Sequence, residues 1–197
     1  MFDSGIKVSD LIESLHSEVD MAPELDDRTY ITILNAVEQL LYTEIIQEQG
    51  EITAELDSDN RVDIENIEVD GEAAIRFEDI YTVYAGETQL KKTTLTSGAI
   101  FPNTFYKVGN KVGFSIDESE VKIIYFVKPA LKTVETKEND TVKLPTEFIE
   151  LAKAKMRGEA YKIANEDELA AKWLNDYNVL LDTFKVWISN RAPQFGM

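Results

Sequence analysis

"KLPTEFIELAKAKMRGEAYKIANEDELAAKWL", residues 143–174, is where a β-rich, acidic chain turns helical. Pro145 heads the pattern, a place where proline is tolerated because its missing N–H would find no helical partner. Ile149, Ala152, Met156, Ala160 and Ile163 then recur at intervals of 3, 4, 4 and 3, one face of an α-helix. Asn165 in "ANEDE" predicts a stop, and Glu166, Asp167 and Glu168 favour the positive end of a following helix. That helix carries Leu169, Trp173, Tyr177, Leu180, Phe184 and Trp187 at 4, 4, 3, 4 and 3. Two amphipathic helices joined by a short polar turn predict an antiparallel hairpin over 141–189. Residues 190–197 have no period and predict an extended tail.

Upstream of this stretch the period is two. "ITAEL" and "RVDIENIEV" alternate as half-buried antiparallel strands do, and Asp70-Gly71 signals a tight turn before "EAAIRF". "DIYTVYAG", "TQLKKTTL", "TFYKVG", "KVGFSI" and "VKIIYFVK" are further strands, with Gly86, Asn110 and Asp117 at the joints and Pro129 closing the last. "SGAIFPNT" is the longest connection without a period and predicts an exposed loop. The first 50 residues are helical again. Ser9 caps a short helix bearing Leu11, Leu15 and Val19, and Pro23 interrupts. Asp26 or Asp27 then caps a longer helix with Tyr30, Leu34, Val37, Leu41 and Ile45 on one stripe, which Gly50 ends. The expected fold class is α+β. It comprises N-terminal helices (1–50), a small antiparallel β-sheet or sandwich (51–140), a C-terminal helix hairpin (141–189) packing with those helices, and the tail (190–197).

Composition narrows the chemistry. The 197 residues have no cysteine, which removes disulfides and thiolate metal sites. "MFDSGIKVSDL" lacks the basic and apolar regions of a secretory signal, and no run approaches a membrane span, so synthesis in the cytosol as a soluble protein is expected. The net charge is −17, unevenly placed. Residues 1–60 hold 2 basic and 15 acidic side chains, residues 61–140 hold 10 and 14, and residues 141–197 hold 8 of each. Such a surface repels phosphate and argues against binding DNA or RNA through counterion release.

No active site stands out. His16, the single histidine, reads as a surface residue, and no Gly-rich phosphate loop is present. "DSDNRVDIENIE" places Asp57, Asp59, Asp63 and Glu68 at the first, third, seventh and twelfth positions of a calcium loop. Val62 stands where that loop needs glycine, and Arg61 aims a cation at the metal, so a strand is the better reading. Pairs such as Glu78-Asp79 or Asp117-Glu118 are ordinary in a chain with 37 acids. "TFYKVGNK" interleaves too few cations with aromatics for a nucleic-acid face, and Trp173 and Trp187 read as core. Neither a cofactor nor a metal is expected.

The order of the segments resembles the head-to-tail adaptor (connector, or tail tubular A-like) proteins of short-tailed bacteriophages. The features that carry the resemblance are "DDRTYITILNAVEQLL" in the second helix and "FEDIYTVYAGETQLKK" in the strand pair. "VKIIYFVKPALKT" leading into "KLPTEF" and the acidic turn before "AAKWLNDY" complete it. The resemblance spans nearly the whole chain and includes no catalytic signature. It implies a homo-oligomeric ring, commonly a dodecamer, at the head–tail junction of a virion. The portal protein would sit above it, the next tail or nozzle protein below, and genome DNA would pass through without specific binding. In that family the C-terminal extension reaches the portal, which here points to Arg191, Pro193 and Phe195. A neutral hairpin suits packing against copies of itself better than the acidic N-terminal segment does. The alternatives are another virion ring or tail-assembly protein, a monomeric β-sandwich binding module exposing Phe101, Phe105 and Tyr106, and, more distantly, a carboxylate-based hydrolase.

Overall fold

The structure, a computed structural model, describes residues 1–17, 23, 25–67, 69, 72–95 and 101–191. The fold is mixed α+β, and the described residues form four α-helices and two four-stranded sheets. It divides into two compact units, Met1–Ile46 with Leu131–Met197, and Gln47–Ala130.

In the first unit, α1 (Val8–Ser17) buries Val8, Leu11, Ile12 and Leu15. Helix α2 (Asp27–Leu41) starts at Asp26, whose carboxylate accepts the Thr29 N–H at 2.8 Å and satisfies a donor the helix itself cannot. Tyr30, Leu34, Val37 and Leu41 are buried along its stripe. The helix ends in a π-helical turn, Tyr42–Ile46, followed by Gln47 at φ +49. Gly50 therefore does not end it: that residue lies in a strand, where a Cβ would fall 2.5 Å from the Tyr125 ring.

Pro145 precedes a 3-10 turn, Thr146–Phe148, that opens into α3 (Ile149–Ile163). Asn165, at φ +60, turns the chain into α4 (Asp167–Arg191), and the pair forms the C-terminal hairpin. At the crossing sits Gly158, where a Cβ would meet Leu174 Cδ2 at 2.7 Å and the Leu174 nitrogen at 3.3 Å, so only hydrogen fits. One apolar core joins buried residues of all four helices, from Val8 and Leu34 to Met156 and Phe184. Ile163 and Leu169 depart from their expected stripes: they flank the hairpin turn and are exposed.

The segment after Leu131 is held to α2 by polar groups. The Asn35 amide donates to the Lys132 carbonyl at 2.9 Å and accepts the Lys132 N–H at 3.0 Å. Glu38 accepts the Lys143 N–H at 2.7 Å and forms an ion pair with the Lys132 ammonium. Glu38 is 1% and Lys132 4% exposed.

In the second unit the strands are β1 (Gln49–Glu55), β2 (Arg61–Val62), β3 (Ile80–Ala85), β4 (Thr88–Gln89), β5 (Lys91–Lys92), β6 (Thr104–Val108), β7 (Lys111–Ser115) and β8 (Glu120–Phe126). They form sheets in the orders β1-β8-β3-β4 and β2-β7-β6-β5. All pairs are antiparallel except β5–β6, which is parallel. The extended run through β4 and β5 serves both sheets: Leu90 N–H donates to Val83 O and Thr93 N–H to Phe105 O, each at 2.9 Å.

Three strand expectations need correction. Among its described residues, "RVDIENIEV" pairs only at Arg61–Val62, then coils into a 3-10 turn that buries Ile64. "EAAIRF" contributes a single bridge, Glu72 to Pro129, before another 3-10 turn at Phe77–Asp79. Phe105 and Tyr106 are strand residues, 1% and 9% exposed, so the exposed aromatic trio shrinks to Phe101. Val19, Glu68 and the Asp70-Gly71 turn lie outside the described residues.

Candidate assembly interface

Helix α4 has 25 residues yet buries only Ala170, Tyr177 and Phe184. Its inward seam is completed by Trp173, Leu180 and Trp187, which are partly buried against the core. Aromatic rings lock the C-terminal end of the seam. Phe148 lies 4.8 Å from Phe184 and 5.2 Å from Trp187, and Phe2 closes on Trp187 at 5.8 Å, tilted or edge-on as ring quadrupoles favour. Cations cover the two indoles: Arg157 stands 4.4 Å above Trp173 and Arg191 3.7 Å above Trp187.

The opposite side of α4 presents a second stripe. Val179 and Val186, seven residues apart and thus two turns along one face, are 61% and 60% exposed. Thr183 lies between them, and its hydroxyl donates to the Val179 carbonyl at 3.1 Å. Ser189 likewise donates to the Val186 carbonyl at 2.8 Å. Both hydroxyls are spent on the helix's own backbone, so the stripe offers a neighbour mostly carbon. Nearby, Asp182 and Lys185 pair at 3.2 Å and cancel. Helix α4 thus has one seam in its own core and a second, β-branched pair on its exposed side.

Arg191, expected in an extended tail, instead lies within α4. Pro193 and Phe195 lie outside the described residues.

The acidic motifs turn inward to their own partners. Asp57 is engaged by its neighbours. Its carboxylate accepts the Asp59 and Arg61 N–H groups and meets Lys111 at 2.9 Å, which leaves a turn closed by cations and amides. The Lys111 hydrogen bond holds Asp57 below the usual carboxylate range. Burial alone would raise the Asp79 carboxyl, but hydrogen bonds from Arg76 and Lys128 outweigh it and keep Asp79 low. Glu78 pairs with Lys107 at 3.0 Å. His16 is half-buried and sets its ring edge-on to Tyr30 at 5.3 Å. Among the described residues, no cluster of three His, Cys, Asp or Glu is placed to hold a metal, and no helix is long and apolar enough to cross a membrane.

The Val179–Thr183–Val186 stripe escaped the sequence reading because the stronger aromatic period of the same helix hides it. Two valines seven apart, beside a seam already filled, were the available signal. No protein-family model matches the chain, and no curated protein matches it.

Proposed function

We propose that this chain is a structural virion protein whose identical copies close into a ring, a head-to-tail adaptor between the portal and the tail of a short-tailed bacteriophage. The observation that carries the proposal is the exposed Val179–Thr183–Val186 stripe on a helix whose other side is already packed. Copies set side by side would cover it, and the C-terminal third, with 8 acids and 8 bases, lets them approach without the repulsion that a net charge of −17 otherwise imposes. The motif order noted above supplies the biological setting. Carboxylates in excess around the bore give DNA no counterion-releasing contacts, so the genome slides through. Arg191, Pro193 and Phe195 reach the portal from the end of α4. The role requires neither catalysis nor a cofactor.

The test replaces Val179 and Val186 by glutamate together. Both side chains are exposed, so the melting temperature of the isolated chain should stay within a few degrees. Ring assembly, read by sedimentation with purified portal protein, should fall at least tenfold, about 1.4 kcal/mol per contact or more. Assembly unaffected by both substitutions would overturn the role given to α4.

A further inference from the structure

The first unit has two flanks. Helix α3 packs against both α2 and α4, which make little direct contact with each other, so it lies between them. One flank is the exposed Val179–Thr183–Val186 stripe of α4. The other belongs to α2, where Arg28, Ile31, Thr32 and Asn35 follow at intervals of 3, 1 and 3 and so share a face. Helical spacing turns that face away from Tyr30, Leu34, Val37 and Leu41, the stripe that α2 buries in the core.

On α2 the flank is concave. Residues 132–135, held in place by the grip of Asn35 on the Lys132 backbone, line a groove of about 270 Å³ together with the α2 face. Ile31, almost without water, gives it an apolar floor, and Val134, 37% exposed, an apolar wall. Thr32 and Thr133 line it too and are exposed. Arg28 and Glu135 bring it opposite charges, both of them in water. The Glu135 carboxyl is held below its usual range by its own backbone N–H, then by the Thr133 hydroxyl and the charge of Arg28.

We infer that the α4 flank of one copy seats in the α2 groove of the next, with Val179 and Val186 against Ile31 and Val134. Beside them, Asp182 and Lys185 meet Arg28 and Glu135. The occupant follows from shape and charge together. A ridge of β-branched side chains edged by one acid and one base fits an apolar groove edged by one base and one acid. The Asp182–Lys185 pair, with side chains 78% and 51% exposed, contributes little while it faces water, so its two charges can exchange partners at little cost. Both flanks belong to the same compact unit, so the contact asks nothing of the β-strand unit. It joins two different surfaces and therefore repeats head to tail, closing into a ring when its rotation permits. The inference rests on the ring proposed above and names the surface of the neighbour that covers α4.

Disulfide trapping tests it, helped by a chain with no cysteine of its own. One variant carries Val134→Cys, a second Val179→Cys, and a third, as control, Tyr81→Cys in the β-strand unit; all three side chains are exposed, so folding is expected to be retained. Thiols join only where their Cα atoms come within about 7 Å. Assembled on purified portal protein under mild oxidation, an equal mixture of the first two variants should give disulfide-linked pairs. A chain carrying both substitutions should give a ladder of longer products. Val179→Cys alone, or mixed with Tyr81→Cys, should link at least about tenfold fewer chains. Preferential linkage of Val179→Cys chains to one another would set two α4 flanks face to face and overturn the inference. So would rings in which the Val134→Cys and Val179→Cys pair links no better than the control. A chain that stays monomeric on the portal contradicts the ring as well, whereas rings without that linkage contradict the α2 groove alone.

Discussion

Glu38 and Lys132 are the least expected residues in the molecule, two opposite charges almost without water. Burial pushes the Glu38 carboxyl above its ordinary range against the pull of Lys132. What makes the pair tolerable is its saturation: Glu38 also accepts the Lys143 N–H, and Asn35 grips the Lys132 backbone at both ends. The pair is a clamp on the segment that enters the C-terminal hairpin. Glu38→Gln keeps the volume but strands a buried ammonium, which should cost about 3–5 kcal/mol of stability in urea unfolding. Adding Lys132→Met should recover most of that loss, since an apolar replacement of both charges leaves nothing unpaired. No sequence period marks such a pair; one glutamate on a helix and a lysine 94 positions later look like surface residues until the fold joins them.

Among the elements, the N-terminal segment is tied down by both backbone pairing and charge. Ser4 N–H donates to Val142 O at 3.0 Å and Val142 N–H to Ile6 O at 2.9 Å, a short ladder ahead of α1. Asp3 secures it. Burial alone would raise its carboxyl, but hydrogen bonds from Lys143, the Gly5 N–H and Thr141 outweigh that and bring it down to about 2. A carboxylate depressed on folding stabilises above its unfolded pKa and stops doing so as pH falls through its folded one. The stability difference between the unaltered chain and Asp3→Asn should therefore hold steady above about pH 5 and vanish between about pH 4 and pH 2. Its size should be about 1 kcal/mol or less, because half of the side chain faces water.

The helices were legible because their periods are long and their caps, Asp26 and Asn165, sit where the backbone needs them. "RVDIENIEV" misled because alternation reports which side chains can be half-buried, not whether a partner strand lies alongside; among its described residues only Arg61 and Val62 have one. Gly50 misled for a related reason. A glycine after a helix suggests a C-terminal cap, but here its missing side chain admits the Tyr125 ring. The outer stripe of α4 stayed hidden because the stronger aromatic period of the same helix dominates its pattern.

At the scale of the whole molecule, the distribution of charge organises the proposal. A chain of net charge −17 resists its own association, so any contact between copies must be neutral or complementary. In the ring proposed here, the α4 face is the first kind. The most direct measurement is electron-microscopic projection of the purified full-length chain mixed with the portal protein of the same virus. The account predicts closed rings of many copies stacked on the portal, with the α4 helices side by side. Portal particles left bare, with the chain sedimenting as a monomer beside them, would contradict it.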